Sequence, residues 1–166
     1  MSVFFIETSA LVKRYKTEKG TDVLDFLFDR VKISGEHSFA VSSFAVLEFI
    51  ATLRRLLKAK QLSKEEFDDA MTVFSVDMKD VFIEPLDDDI IAEAIDAVVK
   101  HALKASDAVQ FAFLLELRNV MKSVDEDVIF VCDDDELIDA GKKEGFRVIN
   151  PREKDALGGI KKIMEQ

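Results

Sequence analysis

The chain has 166 residues, 48% of them apolar, and a single cysteine, Cys132. That allows one domain with a real core, is too apolar for disorder, and excludes an intrachain disulfide or a cysteine zinc cluster. The formal net charge of −10 argues against broad electrostatic binding of nucleic acid, although a local basic patch or bound cations would offset it. No stretch approaches the roughly 20 apolar residues of a membrane span, and the N-terminus has no basic leader, so a cytoplasmic location is expected.

In chain order, the apolar run 3–6 predicts a first strand, and Thr8 or Ser9 can cap the helical sequence after it. Val23, Leu24, Leu27 and Phe28 line one face of a helix over 21–31, broken by Gly35. A short strand fits 39–42. Ser42-Ser43 then opens a long amphipathic helix to about residue 60, with Val46, Leu47, Ile50, Leu53 and Leu57 at helical spacing. Ser63-Lys64-Glu65-Glu66 reads as a capping box opening a helix to 76. A third strand covers 81–83 and stops at Pro85; Asp87 caps a helix to 101; Ser106 or Asp107 opens another to 121. The fourth strand is 128–132, a helix follows over 134–144, and Gly145 is placed to end it in the left-handed conformation. The fifth strand, 146–149, ends at Asn150-Pro151, and the polar segment 152–166 reads as a loosely attached tail. Gly141 is an odd residue inside its helix, at a cost of about 1 kcal/mol against Ala. Strands alternate with helices and no hairpin signal is present, which predicts an α/β fold with a central parallel sheet of about five strands and helices on both faces.

Four acids fall where such a sheet would gather them. Glu7 and Asp134 follow strands one and four, Glu48 lies about two turns into the helix after strand two, and Asp107 begins the helix before strand four. Ligands of open parallel sheets bind beyond the carboxyl ends of the strands. Two carboxylates about 5 Å apart repel by roughly 3 kcal/mol at an effective dielectric of 20, so such a cluster either holds protons or binds a cation. All-oxygen donors favour Mg²⁺ or Mn²⁺ over zinc, and such an ion suits phosphodiester hydrolysis. Asp107 and Asp134 also have a plain reading as helix-start residues. Glu48 does not: a lone Glu in the run Phe44-Ala45-Val46-Leu47-Glu48-Phe49-Ile50 needs a partner or a polar cleft.

The same residues carry a family likeness. The stretch Glu7-Thr8-Ser9-Ala10-Leu11-Val12-Lys13-Arg14-Tyr15 resembles the opening motif of PIN-domain proteins, which usually begins with Asp. Ser43 through Glu48 and on to Arg54-Arg55 is similar to their second motif, and Leu103-Lys104-Ala105-Ser106-Asp107-Ala108 to their third. Val131-Cys132-Asp133-Asp134-Asp135-Glu136-Leu137 resembles the fourth, with Phe146-Arg147-Val148-Ile149-Asn150-Pro151 as strand five. The resemblance spans residues 3–151 and implies a three-layer α/β/α domain of the VapC toxin type. It implies a Mg²⁺- or Mn²⁺-dependent endoribonuclease, usually a homodimer, inhibited by a small antitoxin. By position, Glu7, Glu48, Asp107 and Asp134 would hold the metal and be catalytic, Ser9 would orient the carboxylates, and Asp133 would be an adjacent candidate ligand. Two departures stand out: Glu7 replaces Asp, and Ser106 replaces an apolar residue; at Asp133 the family usually has a small residue.

The mechanism expected is metal-assisted hydrolysis of single-stranded RNA. Lys13 and Arg14 are placed to contact the substrate backbone, and Arg54, with Arg55, Lys58 and Lys60, could contact phosphates; the last four read more readily as a solvated helix end beside the negative pole of its dipole. One rival is a PIN-like binding module for a protein partner, its catalysis weakened at Glu7. Another is a phospho-acceptor receiver domain, disfavoured because Glu84-Pro85-Leu86 follows strand three where an acceptor Asp is needed.

Overall fold

A computed structural model describes residues 1–165. Strands β1 (Ser2–Ile6), β2 (Ser38–Ser42), β3 (Val81–Glu84), β4 (Asp127–Val131) and β5 (Arg147–Ile149) form one sheet in the order β3-β2-β1-β4-β5. Every neighbouring pair is parallel, and β1 lies at the centre, with Ile6 opposite Val131 and Phe4 opposite Phe39. Among the described residues there are eight α-helices, α1 (Thr8–Tyr15), α2 (Thr21–Ser34), α3 (Ser43–Lys58), α4 (Lys64–Asp77), α5 (Asp88–His101), α6 (Ala105–Lys122), α7 (Asp135–Lys143) and α8 (Ala156–Met164), with a short 3₁₀ turn at Met78–Asp80 before β3.

The two-residue period of β1 separates the core into halves. Phe4 and Ile6 point to one face, against Leu11 of α1, Leu24 and Phe28 of α2, Phe49 and Leu53 of α3, Phe74 of α4 and Ile160 of α8. Val3 and Phe5 point to the other, against Ile90 of α5, Phe111 and Leu114 of α6 and Leu137 of α7. The result is a three-layer α/β/α domain in which β1 is buried on both sides, as parallel strands require. No described helix is long and apolar enough to cross a membrane.

The expected strands and helices are present, with ends shifted by a few residues. The capping box at Ser63 and Glu66 forms in full, and Asp87 accepts from the Ile90 amide at the start of α5. Gly145 takes a φ of +79°, the left-handed turn that releases the chain from α7 into β5. Gly141 lies against a ring: a Cβ there would stand 3.0 Å from Cδ1 of Phe130, so any larger residue would need that ring to give by a few tenths of an ångström for α7 to stay this close to β4.

The segment after Pro151 departs from expectation. It is not a loose tail: α8 buries Ala156, Ile160 and Ile163 against the first core half. Those positions recur at i, i+4 and i+7, an amphipathic face. Burying them outweighs the helix-weakening pair Gly158-Gly159 between them.

Candidate active site

Each of the four carboxylates is placed by a junction between a strand and a helix or by a helix itself, and in two cases the carboxylate makes the cap. Glu7 sits between β1 and α1. Its backbone amide continues the sheet by donating to the Val131 carbonyl, 3.0 Å away. Its Oε2 accepts from the Ser9 amide at 2.8 Å and from the Ser9 hydroxyl, satisfying an otherwise unpaired first-turn amide of α1. Asp134 does the same for α7: its Oδ1 accepts from the amides of Glu136 at 2.9 Å and Leu137 at 3.1 Å. Asp107 stands in the first turn of α6 beside the Ser106 hydroxyl, and Glu48 projects from the second turn of α3.

All four line one cleft of about 380 Å³ at the carboxyl ends of the strands, together with Ser9 and Asp133. The electrostatics carry the strain of that arrangement. Glu7 is 5% exposed. Its pKa is raised to about 7, chiefly by burial; the two Ser9 hydrogen bonds oppose the shift, and the charges of Glu48 and Asp134 add to it. Asp107 is also pushed up, by burial first and then by the charge of Asp134. Cys132, fully buried as a core residue, lies 3.7 Å from Glu7 Oε2, and burial pushes its thiol up.

The donor set suits a hard divalent cation. Glu7, Glu48 and Asp134 each commit one carboxylate oxygen to protein hydrogen bonds. The second oxygen of each makes no hydrogen bond to a described residue, and no histidine lines the cleft. Among the described residues no three His, Cys, Asp or Glu side chains are gathered tightly enough to hold one ion as they stand.

The other expected residues fall into different places. Asp133 reaches the cleft, but its carboxylate is paired with Lys13 at 2.7 Å and with Arg152. Lys13 is only 4% exposed and also pairs with Glu18 at 2.9 Å. Burial pulls its pKa down, and the hydrogen bonds and charges of Asp133 and Glu18 more than reverse that. Arg14 is not among the cleft residues: it pairs with Asp25 and Asp77, stacks over Phe28, and lines a separate depression with Tyr15 and Gln61. Arg54 is exposed on α3 and makes no ion pair with a described residue.

Three further residues belong to the site without having been singled out for it by the sequence. Thr8 donates to Glu48 Oε2 at 2.9 Å, and Gln110 of α6 donates to the same oxygen at 2.8 Å. Arg152 bonds the carbonyl of Asp133 at 2.9 Å and Oδ1 of Asp135 at 3.0 Å, gripping the entry to α7 from the segment after β5. A lone Gln flanked by Val109 and Phe111 is the same signal that marks Glu48, and it could have been read the same way.

No protein-family model matches the chain, and no curated protein matches it in sequence. Solved structures do match in shape. PAE2754 from Pyrobaculum aerophilum aligns with a TM-score of 0.60 at 17% identity, over 99% of this chain and 97% of its own. VapC20 from Mycobacterium tuberculosis, described as a Sarcin-Ricin loop cleaving toxin, aligns with a TM-score of 0.57 at 18% identity, over 83% of this chain and 95% of its own. VapBC2 from Rickettsia felis, in a complex bound to a DNA fragment from its promoter, aligns with a TM-score of 0.56 at 12% identity, over 89% and 98%. At these identities the likeness is one of architecture, and what it establishes is that this chain has the PIN-domain fold of the VapC type.

Proposed function

We propose that the chain is a Mg²⁺- or Mn²⁺-dependent endoribonuclease, a hydrolase of RNA phosphodiester bonds, acting in the cytoplasm as the toxin of a toxin–antitoxin pair. The observation that carries this reading is the convergence of Glu7, Glu48, Asp107 and Asp134 on one cleft. The fold adds support, because it is shared with a toxin described as cleaving the Sarcin-Ricin loop.

In this reading the four carboxylates hold the ion through the oxygens they do not spend on caps and hydrogen bonds. A divalent cation held there supplies positive charge to a phosphate oxygen and makes a bound water more acidic. The chain's own residues do the rest. Ser9 fixes the Glu7 carboxylate by two hydrogen bonds. Asp134 is immobilised by the α7 amides, and its neighbour Asp133 is tied to Lys13 and Arg152. Arg54, exposed on the helix that carries Glu48, is the accessible candidate for a phosphate contact. Lys13 and Arg14 can reach substrate only by giving up internal partners. Ile91, Ile95, Val98 and Val99 form an exposed apolar stripe along α5, which supports a homodimer; a small antitoxin protein is the partner proposed for the cleft.

The test is incubation of the purified protein with a panel of RNAs and Mn²⁺. Cleavage is expected, lost on chelation, and reduced by Glu48→Gln beyond the roughly 10–100-fold typical of groups that only support a metal ligand. Failure of the wild type to cleave any RNA, or equal cleavage by the variant, would end the reading.

A second reading is a PIN-like binding module whose catalysis has weakened. It is favoured by the extra methylene at Glu7 and by the looseness of the acidic cluster. Glu7→Asp separates the two: a large gain in cleavage supports the weakened site, whereas robust wild-type turnover argues against it.

A further inference from the structure

Gln110 lies one turn beyond Asp107 on α6 and is 1% exposed, among Ala108, Phe111, Ala112 and Leu114. Its amide is fully used. Oε1 accepts from the Ser42 hydroxyl at 2.9 Å, and Nε2 donates to Thr8 Oγ1 at 2.5 Å and to Glu48 Oε2 at 2.8 Å. The direction of every proton follows from these contacts. A carboxylate only accepts, so the amide nitrogen must face Glu48 and the amide oxygen must face Ser42. Ser42 Oγ already accepts from the Ala45 amide as the cap of α3, and it gives its one proton to Gln110. Thr8 accepts from Gln110 and gives its one proton to Glu48, 2.9 Å away. The network starts at the β2–α3 junction, passes through α6, collects the β1–α1 junction, and ends on a single oxygen of Glu48.

An apolar side chain at this position would fill the same space without the cost of burying an amide. What the amide adds is hold on Glu48. We propose that Gln110, with Thr8 beside it, is a positioning residue of the site: the two donors clamp Glu48 Oε2 and so leave Oε1 for the cleft that Glu48 shares with Asp107 and Asp134. Helix α6 then serves the site twice, delivering Asp107 directly and orienting Glu48 from behind. The inference rests on the metal-dependent reading above and assigns within it how the α3 carboxylate is aimed.

The experiment is a Mn²⁺ titration of the purified full chain by electron paramagnetic resonance of the free ion. It compares wild type, Gln110→Met, Glu48→Gln and the double variant. Gln110→Met keeps the volume and removes both donors. It is expected to weaken Mn²⁺ binding ten- to a hundredfold, the usual effect of losing a group that orients a metal ligand. The double variant is expected to bind no more weakly than Glu48→Gln alone, because both changes remove the same carboxylate's contribution. A role in packing alone would instead make the two losses multiply. Thr8→Val is expected to give a smaller loss with the same non-additivity, and it carries the test if circular dichroism shows that Gln110→Met does not fold. Unchanged Mn²⁺ affinity in whichever variant folds, or multiplicative losses, would overturn the proposal while leaving the nuclease reading intact. A wild-type protein that neither binds Mn²⁺ nor cleaves RNA would overturn both.

Discussion

Glu7 keeps its proton up to about pH 7 in the folded chain, because burial outweighs the two Ser9 hydrogen bonds that favour its anion. In the unfolded chain it ionises near its ordinary 4.5. Below that pH both states carry the proton, and the contribution to stability is fully present. Between 4.5 and 7 the unfolded state releases the proton and the folded state does not, so stability falls as pH rises, by roughly 3 kcal/mol across the window. Asp107 is shifted in the same direction. Urea unfolding in chelator at pH 5 and pH 8 should therefore show a larger loss in wild type than in Glu7→Gln; equal losses would remove Glu7 as the source. Residue by residue, the site was partly legible. Glu48 stood out as a charge in an apolar run, whereas Gln110, in an equally apolar run, carries no formal charge and passed as helix interior. Lys13 looked free for substrate because its partner Asp133 is far away along the chain and becomes a neighbour only through the pairing of β1 with β4.

Helices and strands were legible where periodicity and caps agreed, as at Ser63–Glu66 and Asp87. The failure at α8 has a local cause. Gly158, Gly159 and the charged residues around the helix mimic a solvated tail, and only Ala156, Ile160 and Ile163 of its apolar face are buried, with Leu157 and Met164 partly so. The burial is nonetheless complete at Ile160. Ile160→Ala is expected to destabilise by about 2–5 kcal/mol, as for other large-to-small changes in a packed core. A loosely held tail would change stability by no more than about 0.5 kcal/mol, and denaturant midpoints distinguish the two. Gly141 shows the opposite situation, a residue that looks wrong for its helix until the ring of Phe130 is placed against it.

On the scale of the whole molecule, a net charge of −10 and an acidic cleft repel a polyanion from a distance. The proposed cleavage of RNA should therefore speed up, at fixed Mn²⁺, as monovalent salt rises from about 0.01 M to about 0.15 M and the screening length shortens from about 30 Å to about 8 Å. A steady fall in kcat/KM over that range would mean that local basic contacts govern association instead. The composition announced the charge, but strand order was not legible: nothing in the apolar pattern says that β1 pairs with β4 rather than with β3. That pairing also has a consequence in time. Ile6 meets Val131, so Glu7 waits for Asp134 through most of translation. A nascent chain emerging from the ribosome carries its acids scattered, and they become neighbours only after the fourth strand has cleared the exit tunnel.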